Sequence, residues 1–436
     1  MHMGRDGKPG FAGLWGGVLL GCMLVGCGPV PEDGGREAGD AVQVEAARSS
    51  GTAAQALRKY TYDYVPAPLA HYGPAVAYGG GKYFAVWRDV RDGEVYGTRV
   101  KQDGTVVDPE GILINIGDDA GGRPSIAYNG THFFVVWETS DGVDGVRVQP
   151  DGTVVGPVFR VIQTDESFGQ VAVACSEEVC LVAFTISGDE ETVIFYTRVT
   201  KDGVVLDEVD RTLSPFPNFA HSPSAAWNNS KQQFLVVWSD ERGMGPGQED
   251  IYGNRVTEGG TILDGDGFPI STAPGAQLSP DVTWSGRRFH VVWSDDRDGA
   301  PDIYGARVRP GGSVEDPDGI PISTAPGAQT TPRVAHHNSK SLVVWDDTRG
   351  GSHRIWGARF GEDGDVWDPA GFAISSGDLP EEFLPDVAYG ADRFFTAYAA
   401  GDVFGGFNPP RFILGTRVNH QAEVKDSPAI PLTLEP

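Results

Sequence analysis

Seven arginines recur at one position of a repeated segment, each at the end of a short apolar run and followed by Val or Phe. A guanidinium group holds carboxylates or phosphates through paired N–H donors, so the series predicts either a ring of anion-binding side chains or a repeated ion pair. Because every repeat fills the position, the structural ion pair is favoured over a ligand site. Candidate partners lie two residues after four tryptophans, at Asp89, Asp240, Asp295 and Asp347. The structural arginine series comprises Arg99, Arg147, Arg198, Arg255, Arg307, Arg359 and Arg417.

Acidic residues cluster in the turns, and one turn carries Asp295, Asp298 and Asp302. Calcium takes several oxygen ligands, so these three carboxylates are the candidates for a calcium site. No stretch has the twelve-residue calcium loop with its terminal Glu. The alternative is a set of solvated turn acids that pair with nearby arginines. The sequence therefore predicts no cofactor, with calcium as the alternative.

Two cysteines lie within the repeated region, Cys175 and Cys180. The four residues between them, from Ser176 to Val179, separate two apolar segments, which places the cysteines opposite each other across a hairpin. In an oxidising compartment such a pair forms a disulfide. The alternative is two small buried hydrophobic residues. A zinc site is disfavoured, because no second Cys or His pair lies nearby.

Short motifs of known enzyme mechanisms are absent from the sequence. There is no G-x-S-x-G, no H-E-x-x-H and no phosphate-binding glycine loop. His336 and His337 are adjacent, and neighbours on a strand face opposite ways, which argues against joint metal binding. A site assembled from distant residues stays open, so enzymatic activity is undecided, with a non-enzymatic role preferred.

Two repeats carry insertions between their second and third segments, in the fourth and the seventh copy. Function is often located in such loops, which a rigid scaffold positions. The binding-loop candidates are Met244, Gln248, Phe404, Phe407 and Asn408.

The elements that position these residues form a repeat of about 50 residues. An aromatic residue closes the second apolar segment of each copy, at spacings of 47 to 55 residues. Each copy contains four short segments of strand character joined by turns such as Asn129-Gly130 and Asp103-Gly104, dipeptides that supply the positive φ of tight hairpins. The recurring aromatic residues are Trp87, Trp137, Phe184, Trp238, Trp293, Trp345 and Tyr398.

This periodicity predicts an all-β fold, a single seven-bladed β-propeller of four-stranded antiparallel blades over residues 60–436. The alternatives are six or eight blades, or a β-solenoid. Either Tyr60–Val65 or Ile430–Thr433 is expected to complete the last blade. The predicted repeats are about 72–122, 123–169, 170–222, 223–279, 280–331, 332–384 and 385–436.

Two copies carry a more specific pattern. Trp293-Ser294-Asp295-Asp296-Arg297 is followed by Asp302-Ile303-Tyr304, and Trp238-Ser239-Asp240-Glu241-Arg242 by Asp250-Ile251-Tyr252. These segments resemble the propeller repeats of TolB-type, WD-like periplasmic proteins. The resemblance covers about 20 residues of each good copy and fades in copies two, three and seven. It implies a propeller in the cell envelope, and it transfers no partner-binding residues.

The N-terminus has the pattern of an export signal. An apolar, glycine-rich stretch from Phe11 to Gly26 follows Arg5 and Lys8. It ends in Leu24-Val25-Gly26-Cys27, which resembles the lipobox of bacterial lipoproteins. The resemblance implies cleavage after residue 26, lipidation of Cys27 and, with Gly28 next, delivery to the outer membrane, facing either the periplasm or the outside. Residues 27–59 are polar and lack apolar periodicity, which predicts a disordered tether.

The charge composition of the chain restricts the classes of partner it can bind. The chain of 436 residues has 34 Lys and Arg against 60 Asp and Glu, a formal net charge of −26. Nucleic acid is excluded as a partner, because phosphate binding needs clustered Lys and Arg. The sequence thus predicts a monomeric, lipid-anchored envelope propeller that acts as a non-enzymatic binding or scaffold module for a protein or glycan. The alternative is an envelope polysaccharide hydrolase or lyase with carboxylates at the propeller mouth.

Overall fold

A computed structural model describes residues 71–89, 93–115, 121–164, 167–188, 191–207, 211–215, 219–242, 247–377, 379–401 and 412–433. These residues all lie within one compact unit, 62–436. The predicted signal peptide, Cys27, the tether and Tyr60–Val65 lie outside the described residues. No helix of the described part is long and apolar enough to span a membrane.

The described residues form seven antiparallel sheets and no helix, so the predicted seven-bladed β-propeller is confirmed and the six-bladed, eight-bladed and solenoid alternatives are wrong. Each sheet uses strands in chain order, the first innermost and the last outermost. The strands are β1 His71–Gly79, β2 Lys82–Asp89, β3 Val95–Lys101 and β4 Ile112–Leu113; β5 Ser125–Tyr128, β6 Phe133–Thr139, β7 Gly142–Val148 and β8 Val154–Gln163; β9 Ser167–Cys175, β10 Val179–Ser187 and β11 Thr192–Thr200; β12 Ala220–Asn228, β13 Gln233–Asp240, β14 Asp250–Thr257 and β15 Phe268–Ser271; β16 Gln277–Trp284, β17 Phe289–Asp295, β18 Asp302–Val308 and β19 Ile320–Ser323; β20 Gln329–His337, β21 Lys340–Asp347, β22 Arg354–Gly361 and β23 Phe372–Ala373; β24 Glu381–Gly390, β25 Arg393–Gly401, β26 Phe412–Val418 and β27 Ile430–Pro431.

The third blade is the least regular. Its named strands are β9, β10 and β11, and the outermost position is taken by residues 211–213. There the Leu213 N–H donates to the Ile194 carbonyl, and the Tyr196 N–H donates to the Arg211 carbonyl. This segment pairs with β11 through one bridge, between Phe195 and Thr212, rather than through a full strand.

The hydrophobic core is divided into seven clusters, each shared by two neighbouring blades. The second strand of each blade supplies most of the large side chains, because both of its faces are covered by adjacent blades. Trp137, Trp238, Trp293, Trp345 and Tyr398 are fully buried or nearly so. Burial of each large apolar side chain contributes about 2–3 kcal/mol.

Among the described residues, the seventh and first blades meet without exchanging a strand. Ile430–Pro431 forms the outer strand of blade seven. The Tyr83 hydroxyl donates to the carbonyls of Gly390 and Arg393, at 3.0 and 2.7 Å, and the Tyr83 ring stacks on Phe395. A shared apolar cluster and these hydrogen bonds therefore close the propeller.

In six blades the innermost strand carries a β-bulge near its start. A residue with φ between 40° and 58° occupies this bulge in six blades, at Gly73, Gln170, Ser222, Ser279, Thr331 and Leu384. The innermost strand pairs with the second strand on both sides of the bulge. In blades three to six it therefore begins three residues before the predicted repeat boundary. The residue two positions after this positive-φ residue is called the channel position of its blade. The channel positions are Ala75, Ala172, Ser224, Asp281, Arg333 and Asp386, with Ser125 equivalent in blade two.

Candidate active site at the channel mouth

The recurring arginines lie on the lower face, which carries the turns between third and fourth strands. In six blades the guanidinium pairs with an aspartate nine residues later, namely Asp108, Asp207, Asp264, Asp316, Asp368 or Asp426. Arg307 is typical: Nε and Nη2 donate to the two carboxylate oxygens of Asp316, both at 2.8 Å, and Nη1 donates to the Glu362 carbonyl of the next blade at 3.0 Å.

The series links blade to blade around the whole ring. Arg417 of blade seven donates to the Gln102 carbonyl of blade one at 2.9 Å, which adds to ring closure. The turn glycine of the next blade makes this approach possible. A Cβ on Gly260 would lie 2.6 Å from the Arg198 Cζ, and its φ of +85° also favours glycine. The arginine series thus occupies structural ion pairs.

The carboxylates proposed from the sequence as partners of this series have other partners. Asp295 accepts from Trp293 Nε1 at 2.8 Å and from Arg297 Nε and Nη2 at 2.7 and 2.6 Å. The Arg297 guanidinium also lies over the Tyr304 ring, 4.1 Å from its centroid. Asp240 and Asp347 make the same contacts with Trp238 and Arg242, and with Trp345 and Arg349. The partner assignment for Asp240, Asp295 and Asp347 was wrong, because a tryptophan and an arginine two residues away saturate each carboxylate first.

The calcium candidates lie in this same turn. Asp295 is occupied by Arg297, and Asp298 is exposed. Burial, followed by the charges of Asp298 and Asp295, raises the pKa of Asp302 to about 6. Within the described ranges, no three His, Cys, Asp or Glu side chains converge as metal ligands would.

The disulfide predicted between Cys175 and Cys180 is confirmed. The two cysteines face each other across the β9–β10 hairpin, with their Cα atoms 4.0 Å apart. Of the binding-loop candidates, Gln248 lies on the upper face, and its side-chain amide donates to the Gly247 carbonyl at 2.6 Å. Met244, Phe404, Phe407 and Asn408 lie outside the described residues.

A polar cluster between blades five and six contains a serine, two histidines and a carboxylate. Ser341 Oγ lies 2.8 Å from His290 Nδ1 and 3.0 Å from His336 Nδ1, and both Nε2 atoms face Glu362 Oε1, at 3.8 and 3.6 Å. Serine, histidine and a carboxylate are the residue types of a catalytic triad, but Ser341 and His290 are completely buried. A substrate cannot reach them, so this cluster is structural.

The channel positions break the symmetry of the ring. Innermost strands terminate their sheets, so their free edges face the central channel. Val76, Val173 and Val334 each donate the N–H of such an edge to the channel-position side chain of the preceding blade, namely Asp386, Ser125 and Asp281 respectively. In blade two a serine is enough to accept the edge N–H of the next blade. Accepting this N–H therefore does not explain why blades five to seven have charged residues at the channel position.

Asp281, Arg333 and Asp386 lie on three consecutive blades, near the middle of β16, β20 and β24. They are therefore below the upper mouth, the end of the channel that carries the loops between second and third strands. All three are partly accessible. Asp281 Oδ1 accepts from the Ser224 hydroxyl, and Oδ2 accepts from the Val334 N–H, both at 2.7 Å. Asp386 Oδ2 accepts from the Val76 N–H at 2.7 Å. Among the described residues, Asp386 Oδ1 has no hydrogen-bond partner.

The surroundings of Asp281 act on its pKa in opposite directions. Burial raises the pKa of Asp281, the negative charge of Asp386 raises it further, and Arg333 and two hydrogen bonds oppose the rise. Two neighbouring carboxylates in unlike environments can divide acid and base roles. Sequence reasoning missed all three residues. The available signal was an alignment of the repeats on the residue before the channel position, which is proline in six blades and Val171 in blade three. In that alignment the channel positions are Ala, Ser, Ala, Ser, Asp, Arg and Asp in turn.

The chain was compared with protein families, curated proteins and solved structures. No family model matches the chain, and no curated protein matches it. A puromycin hydrolase structure is 14% identical, with a TM-score of 0.48 over 83% of this chain and 54% of that one, so this chain spans about half its length. An α-L-arabinofuranosidase from Lactobacillus brevis is 12% identical, with a TM-score of 0.39 over 61% and 93%. A thermostable family-43 glycoside hydrolase is 12% identical, with a TM-score of 0.38 over 59% and 96%.

These three structures are enzymes and none is a non-enzymatic module, so the comparisons do not support the predicted non-enzymatic binding or scaffold role. At such low identity the likeness extends to the propeller fold alone. The activities named for those proteins are theirs, and the case for chemistry in this chain depends on its own residues at the channel mouth.

Proposed function

We propose that this protein is an envelope polysaccharide hydrolase or lyase that acts in the propeller channel, below its upper mouth. One observation carries the proposal: the channel positions of blades five to seven bring two carboxylates and a guanidinium together, where the other four blades have Ala or Ser. The charged residues of the lower face recur from blade to blade as structural ion pairs. The charged residues at the channel positions do not recur, so the repeat does not explain them.

Asp281 is the proton donor of the proposed reaction. A general acid must hold its proton near neutral pH, and burial next to Asp386 moves the pKa of Asp281 in that direction. The Ser224 hydroxyl and the Val334 N–H fix the carboxyl group in place. In hydrolysis the donor protonates the oxygen of the leaving sugar.

Asp386 is the base or nucleophile. Its Oδ2 is held by the Val76 N–H, and its Oδ1 is left to face a substrate or a water. In a hydrolase it would attack the anomeric carbon or activate water, and in a lyase it would remove a proton next to a sugar carboxylate. Either route uses the same pair of carboxylates.

The cellular setting is part of the proposal. The lipobox ending in Cys27 supports a lipid anchor at the outer membrane, on either of its sides, and the likeness of the repeats to TolB-type propellers supports an envelope location. Residues 27–59 would hold the enzyme away from the lipid surface. Its partner would then be an envelope polysaccharide, with the protein acting as a monomer.

A polysaccharide panel tests this function. Purified protein is incubated with neutral and acidic glycans, and reducing ends are measured together with the ultraviolet absorbance of unsaturated sugars, which marks a lyase. Asp281→Asn and Asp386→Asn should each reduce the rate by about 100-fold to 10,000-fold. Asp318→Asn, an exposed control on another turn, should leave it unchanged. Equal rates in wild type and both channel variants would overturn the assignment.

A further inference from the structure

Arg333 differs from the recurring arginines in having no carboxylate partner. Its Nη1 donates to the carbonyl of its own neighbour Pro332, at 2.7 Å. Among the described residues, no carboxylate lies within ion-pair distance of it. Six members of the recurring series, by contrast, each hold an aspartate, as Arg307 holds Asp316.

The two nearby carboxylates are held by other donors. Asp281 is held by Ser224 and the Val334 N–H, and Asp386 by the Val76 N–H. Both still act on the channel electrostatically, because the pKa of Asp281 responds to Asp386 and to Arg333. A guanidinium has five N–H donors, so Arg333 keeps four of them for a ligand.

The opposite side of the ring carries small side chains at its channel positions, and there Arg123 of blade two donates to the carbonyls of Pro74 in blade one and Pro385 in blade seven. The channel positions of the first three blades are Ala75, Ser125 and Ala172, the smallest set in the ring. A planar guanidinium matches a planar carboxylate through two parallel hydrogen bonds. The negative charges of Asp281 and Asp386 disfavour a dianionic phosphate more than a singly charged carboxylate.

We infer that Arg333 binds the carboxylate of a uronic acid unit and makes the enzyme selective for acidic polysaccharide. The inference rests on the proposed function, because it places the sugar next to Asp281 and Asp386. Arg333 is the residue that sets specificity, and the two aspartates perform the chemistry.

The test compares acidic and neutral oligosaccharides of matched length. Binding of an oligogalacturonide, a glucuronate-containing oligosaccharide and oligogalactose is measured by calorimetry on wild type, Arg333→Gln, Arg333→Lys and the exposed control Arg309→Gln. Loss of a charged bidentate contact should weaken binding of an acidic oligosaccharide about 10-fold to 100-fold in Arg333→Gln. The lysine variant should lose less, and the control nothing. Unchanged melting temperatures would show that each variant is folded.

The outcomes separate this inference from the proposed activity. Acidic oligosaccharide that binds through Arg333 but is never cleaved would support the inference and overturn the activity. Cleavage with no preference for acidic glycan, or equal losses on acidic and neutral probes, would overturn the inference and leave the activity standing. Failure of both acidic probes to bind would also overturn the inference.

Discussion

The lower face and the channel mouth of this propeller use charge in opposite ways. On the lower face, six arginines of one series each hold an aspartate and reach the next blade. At the channel mouth, Arg333 has no carboxylate partner and Asp386 keeps one oxygen unpaired among the described residues. The difference teaches that repeated charge in this fold holds blades together, whereas charge that breaks the repeat is available for a ligand.

The largest stability loss is expected on the Trp–Asp–Arg units that accompany the arginine series. Asp295 is almost completely buried and accepts from Trp293 and Arg297. Asp295→Asn should lower the free energy of unfolding by about 3 kcal/mol, because Arg297 keeps its charge without a partner. Urea denaturation measures the effect. The double variant Asp295→Asn with Arg297→Gln should recover part of the loss, and no recovery would show that the ion pair is not its cause.

A pH-dependent loss of about 2 kcal/mol is expected from the buried histidine. Burial, with His336 and two arginines nearby, lowers the pKa of His290 to about 3. The unfolded chain takes up a proton near pH 6.5 and the folded one does not, so stability falls as the pH drops from 6.5 toward 3. Between about pH 6.5 and about pH 5 this amounts to about 2 kcal/mol. His290→Asn should flatten that slope in urea titrations, and an unchanged slope would contradict a buried neutral imidazole.

The arginine series contains its own control. Arg307 holds Asp316, whereas the residue nine positions after Arg147 is Gly156. Arg147 donates instead to the Lys201 carbonyl at 3.3 Å and lies 4.0 Å from Asp202. Arg307→Gln should cost about 2 kcal/mol, and Arg147→Gln less than about 1 kcal/mol, because only the first leaves a half-buried carboxylate unpaired. Thermal unfolding compares the two, and equal losses would show that the aspartate contributes little.

The smallest effect concerns the acidic turn considered for calcium. The pKa of Asp302 is raised to about 6 from its ordinary 3.8, so its charge disfavours the folded state above pH 6 and not below 3.8. Asp302→Asn should therefore stabilise the protein by about 1 kcal/mol at neutral pH, less at lower pH. Destabilisation by this substitution, together with stabilisation of the wild type by added calcium, would instead indicate a bound ion.

Much of the fold was predictable from the sequence, because the aromatic and arginine series mark every blade in register. The disulfide followed from two cysteines facing each other across a hairpin. The arginine partners were missed, although an aspartate nine residues later recurs in six copies. The channel residues were harder to predict. Asp281 looks like one more acid among 60, and only the bulge reveals that it faces the axis beside residues over 50 positions away.

The most direct test of the account is a crossed comparison of Asp281→Asn and Asp295→Asn, with unfolding free energy and glycan turnover measured on both. We predict that Asp281→Asn loses turnover by at least about 100-fold and less than about 1 kcal/mol of stability. Asp295→Asn should lose about 3 kcal/mol and, while folded, keep its turnover. If Asp281→Asn keeps its turnover, or if Asp295→Asn loses turnover while folded, the division between a structural face and a chemical mouth is contradicted.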